Sequence, residues 1–424
     1  MGPTGRVCHH PGVPEPVAPR PVTGRAVLTV ALVMATALVA QAFGRFSWGV
    51  VLPDARDDIL GGSNTLAGLL GTLNVTAYLA GTFAVSWAAS RLSLVGLVRV
   101  GLVASTTGLA LASVTRNPAV LGAALVLMGL GGAAIWIPAP ALSARELPPW
   151  RRGLAVGLVG AGIGIGLVFA GQLAALLRRR TDADDVWQLV YRVEFGVALA
   201  VLVASFVWLR SAGDRPAAAG GVGGFGALRT VAGWIPAVVA YAAFGFSYLL
   251  VIGFLVARLE DDAGFSSAEA SAMFSLVGAA TIVGGVGLGA VSDRIGRRVT
   301  LTAAFTVFGA CALLLLTGRQ PWVAVASVGA GLMFSGMPAL IIAHLVEHTD
   351  VDTYGPAFSA ATLAFGVAQM ISPQVGGAMA DALGSFTWVF VLSALVAGAG
   401  AVASSRLPPP LVGHRVVVGS DAEA

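Results

Sequence analysis

Twelve apolar runs, each long enough to cross a bilayer, follow one another along this chain with only short connectors between them. They lie near residues 27–51, 65–89, 94–114, 119–143, 153–176, 189–209, 231–257, 270–291, 299–316, 321–345, 356–381 and 386–405. A hydrocarbon core about 30 Å thick takes roughly 20 apolar residues per helical crossing. The expected fold class is therefore an all-α polytopic membrane protein of about twelve transmembrane helices, with the lipid bilayer as its standing partner. Composition agrees, since 57% of residues are hydrophobic and only 11% are charged, against about 25% charged in soluble domains. The 56 glycines suit helices that pack in lipid by bringing backbones close.

The connectors give orientation. With the N-terminus in the cytoplasm, the inner segments carry most of the arginines, among them Arg91, Arg99, Arg145, Arg151, Arg152, Arg210, Arg229, Arg294, Arg297 and Arg298. The outer connectors carry fewer: Arg56, Arg116, Arg178, Arg179, Arg180, Arg258 and Arg319. That asymmetry places both termini inside, in a bacterial inner membrane. The run Arg178-Arg179-Arg180 is the one feature against the trend. Positive charge scattered over connectors is not the single basic face of a nucleic-acid binder, so no nucleic-acid partner is expected. Lysine is absent, which rules out a P-loop ending Gly-Lys-Ser/Thr and hence that route to ATP. Cys8 falls in a Pro-rich N-terminal tail (1–25) and Cys311 in an apolar span, so no disulfide framework is expected.

Residues 211–230, rich in Gly and Ala, fall midway and read as a flexible cytoplasmic linker. They divide a 26–210 half from a 231–405 half, with 406–424 as a C-terminal tail. The halves look like copies. Ala42-Phe43-Gly44 corresponds to Ala243-Phe244-Gly245, and charged stretches follow both, Arg56-Asp57-Asp58 and Arg258 with Glu260-Asp261-Asp262. An offset of 202 then pairs Gly153 with Gly355, Gly164 with Gly366 and Gln172 with Gln374. Parallel repeats of this kind occur in transporters whose site lies between the repeats.

One segment is specific. Gly289-Ala290-Val291-Ser292-Asp293-Arg294-Ile295-Gly296-Arg297-Arg298 lies between the eighth and ninth runs. It resembles the Gly-x-x-x-Asp-Arg-x-Gly-Arg-Arg loop of the major facilitator superfamily. Phe43-Gly44-Arg45-Phe46-Ser47-Trp48 through Leu52-Pro53, and the stretch Asn74 to Tyr78, are similar to the first and second spans of the YbfB/YjiJ-like group within it. The resemblance implies two pseudo-symmetric six-helix bundles and secondary transport by alternating access. It also implies a gating loop in which Asp293 and Arg294 carry the latch, with Gly289, Gly296, Arg297 and Arg298 shaping it. A plain topological role for such a basic loop is the alternative. The equivalent loop of the first half, Ser90-Arg91-Leu92-Ser93, lacks the acid.

In that fold the first, fourth, seventh and tenth spans line the cavity. Arg45 lies inside the first span, where an unpaired arginine costs about 2.5–3.5 kcal/mol. It is either a cationic anchor for an anionic substrate or a brace on a helix C-terminus. Gln41, Asn74, Tyr78, Tyr241, Tyr248 and Gln369 are the polar candidates for substrate contact, each open to the plainer role of interhelical hydrogen bonding. Trp136 joins them because it precedes Ile137-Pro138-Ala139-Pro140, where two prolines permit a bend. Glu194 and Asp381 are the acids nearest the apolar interior. Arg192, two residues from Glu194, suggests a structural pair rather than a proton relay, so no coupling residue is assigned.

Two patterns are read as decoys. His344-Leu345-Val346-Glu347-His348 matches a zinc-hydrolase signature, but a polar helix end explains it, and no metal site, cofactor or enzymatic activity is expected. A metal-dependent membrane hydrolase is kept as the alternative of another class. The glycine-rich Gly160–Gly166 stretch lies inside an apolar run, so Gly162 and Gly166, with Gly376 and Gly377, read as packing surfaces between the halves. The expected function is secondary transport of a small organic molecule by a monomer, coupled to H+. Family prevalence inclines it toward efflux of drugs or metabolites, with organic-anion uptake as the alternative.

Overall fold

The computed structural model describes residues 23–88, 91–148, 151–181, 185–210 and 224–409 of the chain. Among them there are no strands, and twelve long helices follow in order. They are α1 (Gly24–Ile59), α2 (Asn64–Ala88), α3 (Leu94–Ala112), α4 (Pro118–Glu146), α5 (Arg152–Arg178) and α6 (Val186–Trp208). The second set is α7 (Trp234–Asp262), α8 (Ser267–Ile295), α9 (Arg297–Leu315), α10 (Trp322–Glu347), α11 (Val351–Leu383) and α12 (Thr387–Ser404). All but α11 are both long and apolar enough to cross a membrane. The 33 residues of α11 suffice in length, but its Gly, Pro and Gln content makes it less apolar.

Local chemistry sets where these helices begin. Ser93 accepts from Gly96 N at the start of α3, Asn117 caps α4 ahead of Pro118, and Ser266 with Glu269 closes a capping box on α8. Two helices are irregular. In α1 a π-helical segment, Leu38–Phe46, separates α-helical Gly24–Ala37 from Ser47–Ile59. In α4 the chain turns at Ile137-Pro138 between Pro118–Trp136 and Ala139–Glu146, as the prolines require.

The first six helices form one bundle and the last six another, with matching neighbours. Packing of α1 on α5, α2 and α3 on α4, and α3 on α6 recurs as α7 on α11, α8 and α9 on α10, and α9 on α12. The halves meet along three seams, α1–α7, α2–α11 and α5–α8. The repeat offset is visible here. Gly164 in α5 lies against Gly278 and Ile282 of α8, and its counterpart Gly366 in α11 lies against Leu79 of α2.

Four expectations change. Charged residues read as connectors are helical, since Arg56, Asp57 and Asp58 belong to α1 and Glu260, Asp261 and Asp262 to α7. Within the expected linker, 211–223 lie outside the described residues, but Phe225–Thr230 is a short helix with Leu228 buried, packed on α11. Of the expected tails, 1–22 and 410–424 lie outside the described residues, while Leu407 is buried and Pro408 packs on Gly233. The packing glycines also divide differently. Gly162 and Gly166 face Met34, Leu38 and Ala42 of α1, and Gly376 faces Leu250 and Phe254 of α7, all within their own halves. Only Gly377, against Asn64 of α2, lies on a seam between halves. Successive residues turn by 100°, so residues two apart on a helix face away from each other, and it is Gly164 that meets α8.

That contact can be tested. A Cβ on Gly164 would lie 2.7 Å from the Gly278 carbonyl oxygen, whereas one on Gly160 meets nothing within 4 Å. Gly164→Ala should destabilise the protein by about 1–3 kcal/mol through overpacking, and Gly160→Ala should not. Thermal unfolding of the two purified variants side by side reads the difference.

Candidate functional site

The π-helical segment of α1 carries Arg45 into the space between the halves. Its Nη1 donates to Gln41 Oε1 at 3.0 Å, one turn earlier, and its Nη2 donates to Gln369 Oε1 of α11 at 3.3 Å. The guanidinium carbon lies 4.1 Å from the centroid of the Tyr78 ring on α2, within cation–π range. Among the described residues every partner of this cation is neutral. Arg45 Nε and Gln41 Nε2 have no partner at all, so two donors remain unused beside the positive charge.

The opposite wall is aromatic. Gln369 Nε2 donates to Tyr248 Oη at 2.6 Å. Tyr248 stacks on Phe244 at 4.8 Å, and Phe334 of α10 lies 5.0 Å from Tyr248 and 5.4 Å from Phe46. Tyr241 stacks on Phe365 of α11 at 4.3 Å. The arrangement is a cationic fork with amide neighbours on one side and flat apolar surface on the other, drawn from α1, α2, α7, α10 and α11. Above Arg45, between α1, α2 and α7, lies a cavity of about 30 Å³ lined by Arg45, Trp48, Asn74 and Ile252, room for about two waters.

Six of the eight candidates, Arg45, Gln41, Tyr78, Tyr241, Tyr248 and Gln369, thus belong to this assembly. Asn74 lines the small cavity, but both its amide hydrogens go to backbone, to Gly44 O and Leu125 O at 2.8 Å each. It ties α2 to α1 and α4 and so fixes the π segment. Trp136 is half-buried at the bend of α4.

A second cluster was missed by sequence reasoning. It lies at the end of the bundle that holds the α1–α2 and α7–α8 connectors, here the distal end. Arg178, the last residue of α5, has a side chain 5% exposed. It donates to Asp54 Oδ2 of α1 at 2.6 Å, Glu260 Oε1 of α7 at 3.4 Å, and Ser267 O and Ser271 Oγ of α8 at 3.2 and 2.5 Å. Arg56 of α1 pairs with Asp261 of α7 and donates to Asn64 Oδ1 at 3.0 Å. Asp381 of α11 accepts from Asn64 N, Thr65 N and Thr65 Oγ1 at 2.9, 2.7 and 2.6 Å. One half thus caps the N-terminus of a helix in the other, where a carboxylate is favoured. The signal was present, because Arg178 was the arginine on the wrong side for the charge rule.

The loop between α8 and α9 also differs from expectation. Asp293 Oδ1 pairs with Arg297 Nη1 at 2.7 Å, and Arg297 Nε donates to Glu347 Oε1 of α10 at 3.0 Å. Arg297 Nη1 also donates to Ser292 Oγ. The arginine paired with Asp293 is thus Arg297, and Arg294 is exposed like Arg298. Asp293 stands in the last turn of α8 and Arg297 is the first residue of α9, and the turn at Gly296 brings the two together. Gly296 adopts φ 90° and ψ 150°, a conformation essentially confined to glycine, and a side chain on Gly289 would meet nothing. The partner Glu347 comes from the zinc-like pattern, in which His344 is buried and its ring lies 4.2 Å from that of His348.

Glu194, expected beside Arg192, is not. Arg192 points outward and donates to Ser113 O at 3.2 Å, while Glu194 is fully buried and accepts from Ser47 Oγ at 2.5 Å. Residues two apart on a helix do not face each other.

Known proteins match this picture. Among solved structures, a D-xylose–proton symporter superposes with TM-score 0.72 at 14% identity, over 91% of this chain and 99% of that one. A bacterial homologue of the human lysosomal transporter Spinster, in an inward-facing and unoccupied conformation, superposes with TM-score 0.68 at 16% identity, over 90% of this chain and 94% of the other. The Arabidopsis thaliana protein Zinc Induced Facilitator-Like 1 is 31% identical over 141 residues, which are 32% of this chain and 28% of that protein. Residues 37–405 match the family described as uncharacterised MFS-type transporter YbfB, and this chain belongs to that family of major facilitator transporters.

Proposed function

We propose that this protein is a secondary transporter that moves a small organic anion between the two sides of a membrane by alternating access. The observation that carries the reading is Arg45, a cation between the halves whose partners among the described residues are amides and aromatic faces, with two donors left over. A carboxylate or sulfonate on the cargo supplies the missing charge-assisted hydrogen bonds, and the Tyr248–Phe334 and Tyr241–Phe365 surfaces suit a flat apolar body. The cation at the centre disfavours bulky cationic drugs as cargo.

Two features support alternating access. The clamp formed by Arg178, Arg56 and Asp381 joins the halves at the distal end. Toward the other end the α5–α8 seam loosens: a Cβ on Gly164 would lie 2.7 Å from the Gly278 carbonyl oxygen, one on Gly157 would lie 3.7 Å from Val286 Cγ2, and one on Gly160 would meet nothing within 4 Å. With the arginine-rich connectors in the cytoplasm, this is an arrangement closed to the outside. The bacterial inner membrane, cytoplasmic termini, proton coupling and a monomer of two functional halves, 26–210 and 231–405, complete the reading.

A thermal-shift screen of purified protein tests it. Benzoate, phenylacetate and benzenesulfonate, each raised to about 100 times its dissociation constant, should stabilise by about 2.7 kcal/mol. Stabilisation by tetraphenylphosphonium, with none by the anions, would overturn the anionic-cargo reading.

A further inference from the structure

Within α6 lies a carboxylate that the substrate site does not use. Glu194 is wholly buried, its Oε1 lies 2.5 Å from Ser47 Oγ, and its Oε2 has no partner. An ionised carboxylate in such a place needs a counter-charge or water, whereas the neutral acid does not. The two charge states therefore demand different surroundings, which is what a group must do if it is to couple to a conformational change.

Apart from Arg25, exposed at the start of α1, the described ionisable side chains of the helices packed against α6 are engaged elsewhere. On α1, Arg45 turns to Gln41 and Gln369, Asp54 to Arg178, and Arg56 to Asp57 and Asp261, while Asp58 accepts from Trp187. On α3, Arg99 donates to Ser205 O and Leu209 O near the far end of α6. On α5, Arg178 belongs to the distal clamp. On α6 itself Arg192 faces outward to Ser113 O, and Tyr191 is buried with no partner for its hydroxyl. None of these cations neutralises Glu194.

We propose that Glu194 is the proton-carrying group of this transporter, and that Ser47 links its charge state to the π-helical segment that holds Arg45. The proposal rests on the transporter reading but not on the cargo being an anion. Trp187, Tyr191 and Glu194 recur at helical spacing on the buried face of α6, descending from the distal end where Trp187 Nε1 donates to Asp58 Oδ2 at 3.0 Å. A proton taken from water in one access state forms the O–H bond of the Glu194 acid. In the other access state it returns to water on the opposite side, and the carboxylate is restored with no electron transferred. Ser47 follows the π segment directly and lies two residues from Arg45. A change in the Ser47–Glu194 hydrogen bond is thus delivered to the turn that aims the guanidinium.

The experiment uses the full chain in liposomes with no organic anion present, so its result is independent of the cargo. Infrared difference spectra between acid and alkaline buffer should show a protonated-carboxyl band that Glu194→Gln removes and Ser47→Ala shifts in frequency and midpoint. Spin labels at Ala119→Cys and Arg319→Cys, with Cys8 and Cys311 replaced by Ser, report the distance between the halves at the distal end. The wild type should switch between two distance distributions with pH, and Glu194→Gln should hold one distribution at every pH. If Glu194→Gln does not fold, Glu194→Asp should keep the band at a displaced frequency and midpoint. Spectra unchanged by either substitution, or pH switching that survives in Glu194→Gln, would overturn the proposal. Failure of the anion screen with these results intact would remove the anionic cargo and leave the proton site standing.

Discussion

Arg178→Glu should abolish transport and open the distal end of the bundle. The arginine holds Asp54 of its own half and Glu260 of the other at 2.6 and 3.4 Å, and adds bonds to Ser267 O and Ser271 Oγ of α8. Removing one partner of a buried ion pair costs about 3–5 kcal/mol, because the other charge is left uncompensated. Reversal costs more, since a third carboxylate then joins Asp54 and Glu260. Closure at that end becomes unfavourable, and the populations of the two access states shift by the same free energy. Spin labels at Ala119→Cys and Arg319→Cys should show the wild-type short distance replaced by a longer one, with little or no transport. Arg178→Lys keeps the charge without the fork and should fall between. Wild-type distances in Arg178→Glu would mean that the clamp does not hold the halves together.

Arg45→Ala should remove anion binding while leaving the fold in place. The guanidinium is half-buried, donates to Gln41 and Gln369, and lies over the rings of Tyr78 and Phe46. Its loss leaves amides rather than a stranded charge, and Gln369 keeps its bond to Tyr248. For the bound cargo the loss is larger. Truncating one partner of a buried, hydrogen-bonded charge pair costs about 2–5 kcal/mol, a weakening of roughly 30- to several thousand-fold. Arg45→Lys should recover part of the affinity as a point charge without bidentate geometry. The readout is the dissociation constant of benzoate by calorimetry, and an unchanged constant in Arg45→Ala would place the anion elsewhere.

The fold was legible because its strongest determinants are local. Apolar length set the helix count, and the offset of 202 announced the repeat that Gly164 and Gly366 occupy at equivalent seams. The central site was largely legible too, since a lone arginine in an apolar span is rare and Gln369 and Tyr248 stood out against their surroundings. What stayed hidden depended on which way side chains point. Gly162 and Gly164 are indistinguishable in a glycine-rich run, yet they face different helices. Asp293 pairs with Arg297 rather than Arg294 because the turn at Gly296, invisible as such in the sequence, swings the first residue of α9 back over the end of α8. The distal clamp was hidden for a different reason. Charge at the end of an apolar run reads as a connector, and nothing local tells Arg56 or Arg178 that its counter-ion lies in the other half of the chain. The same limit applied to Glu194, whose nearest charge in sequence is on the opposite face and whose partner, Ser47, is 147 residues away.

A carboxylate bound at Arg45 should be carried across the membrane and not merely held, and counterflow in proteoliposomes tells the two apart: vesicles are loaded with unlabelled benzenesulfonate and labelled benzenesulfonate is supplied outside. The wild-type protein should raise internal label transiently above its equilibrium level, while Arg45→Ala and Arg178→Glu should match empty vesicles. Saturable binding of benzenesulfonate by the wild type with no counterflow would contradict the claim and make the protein a membrane receptor that shares the transporter fold.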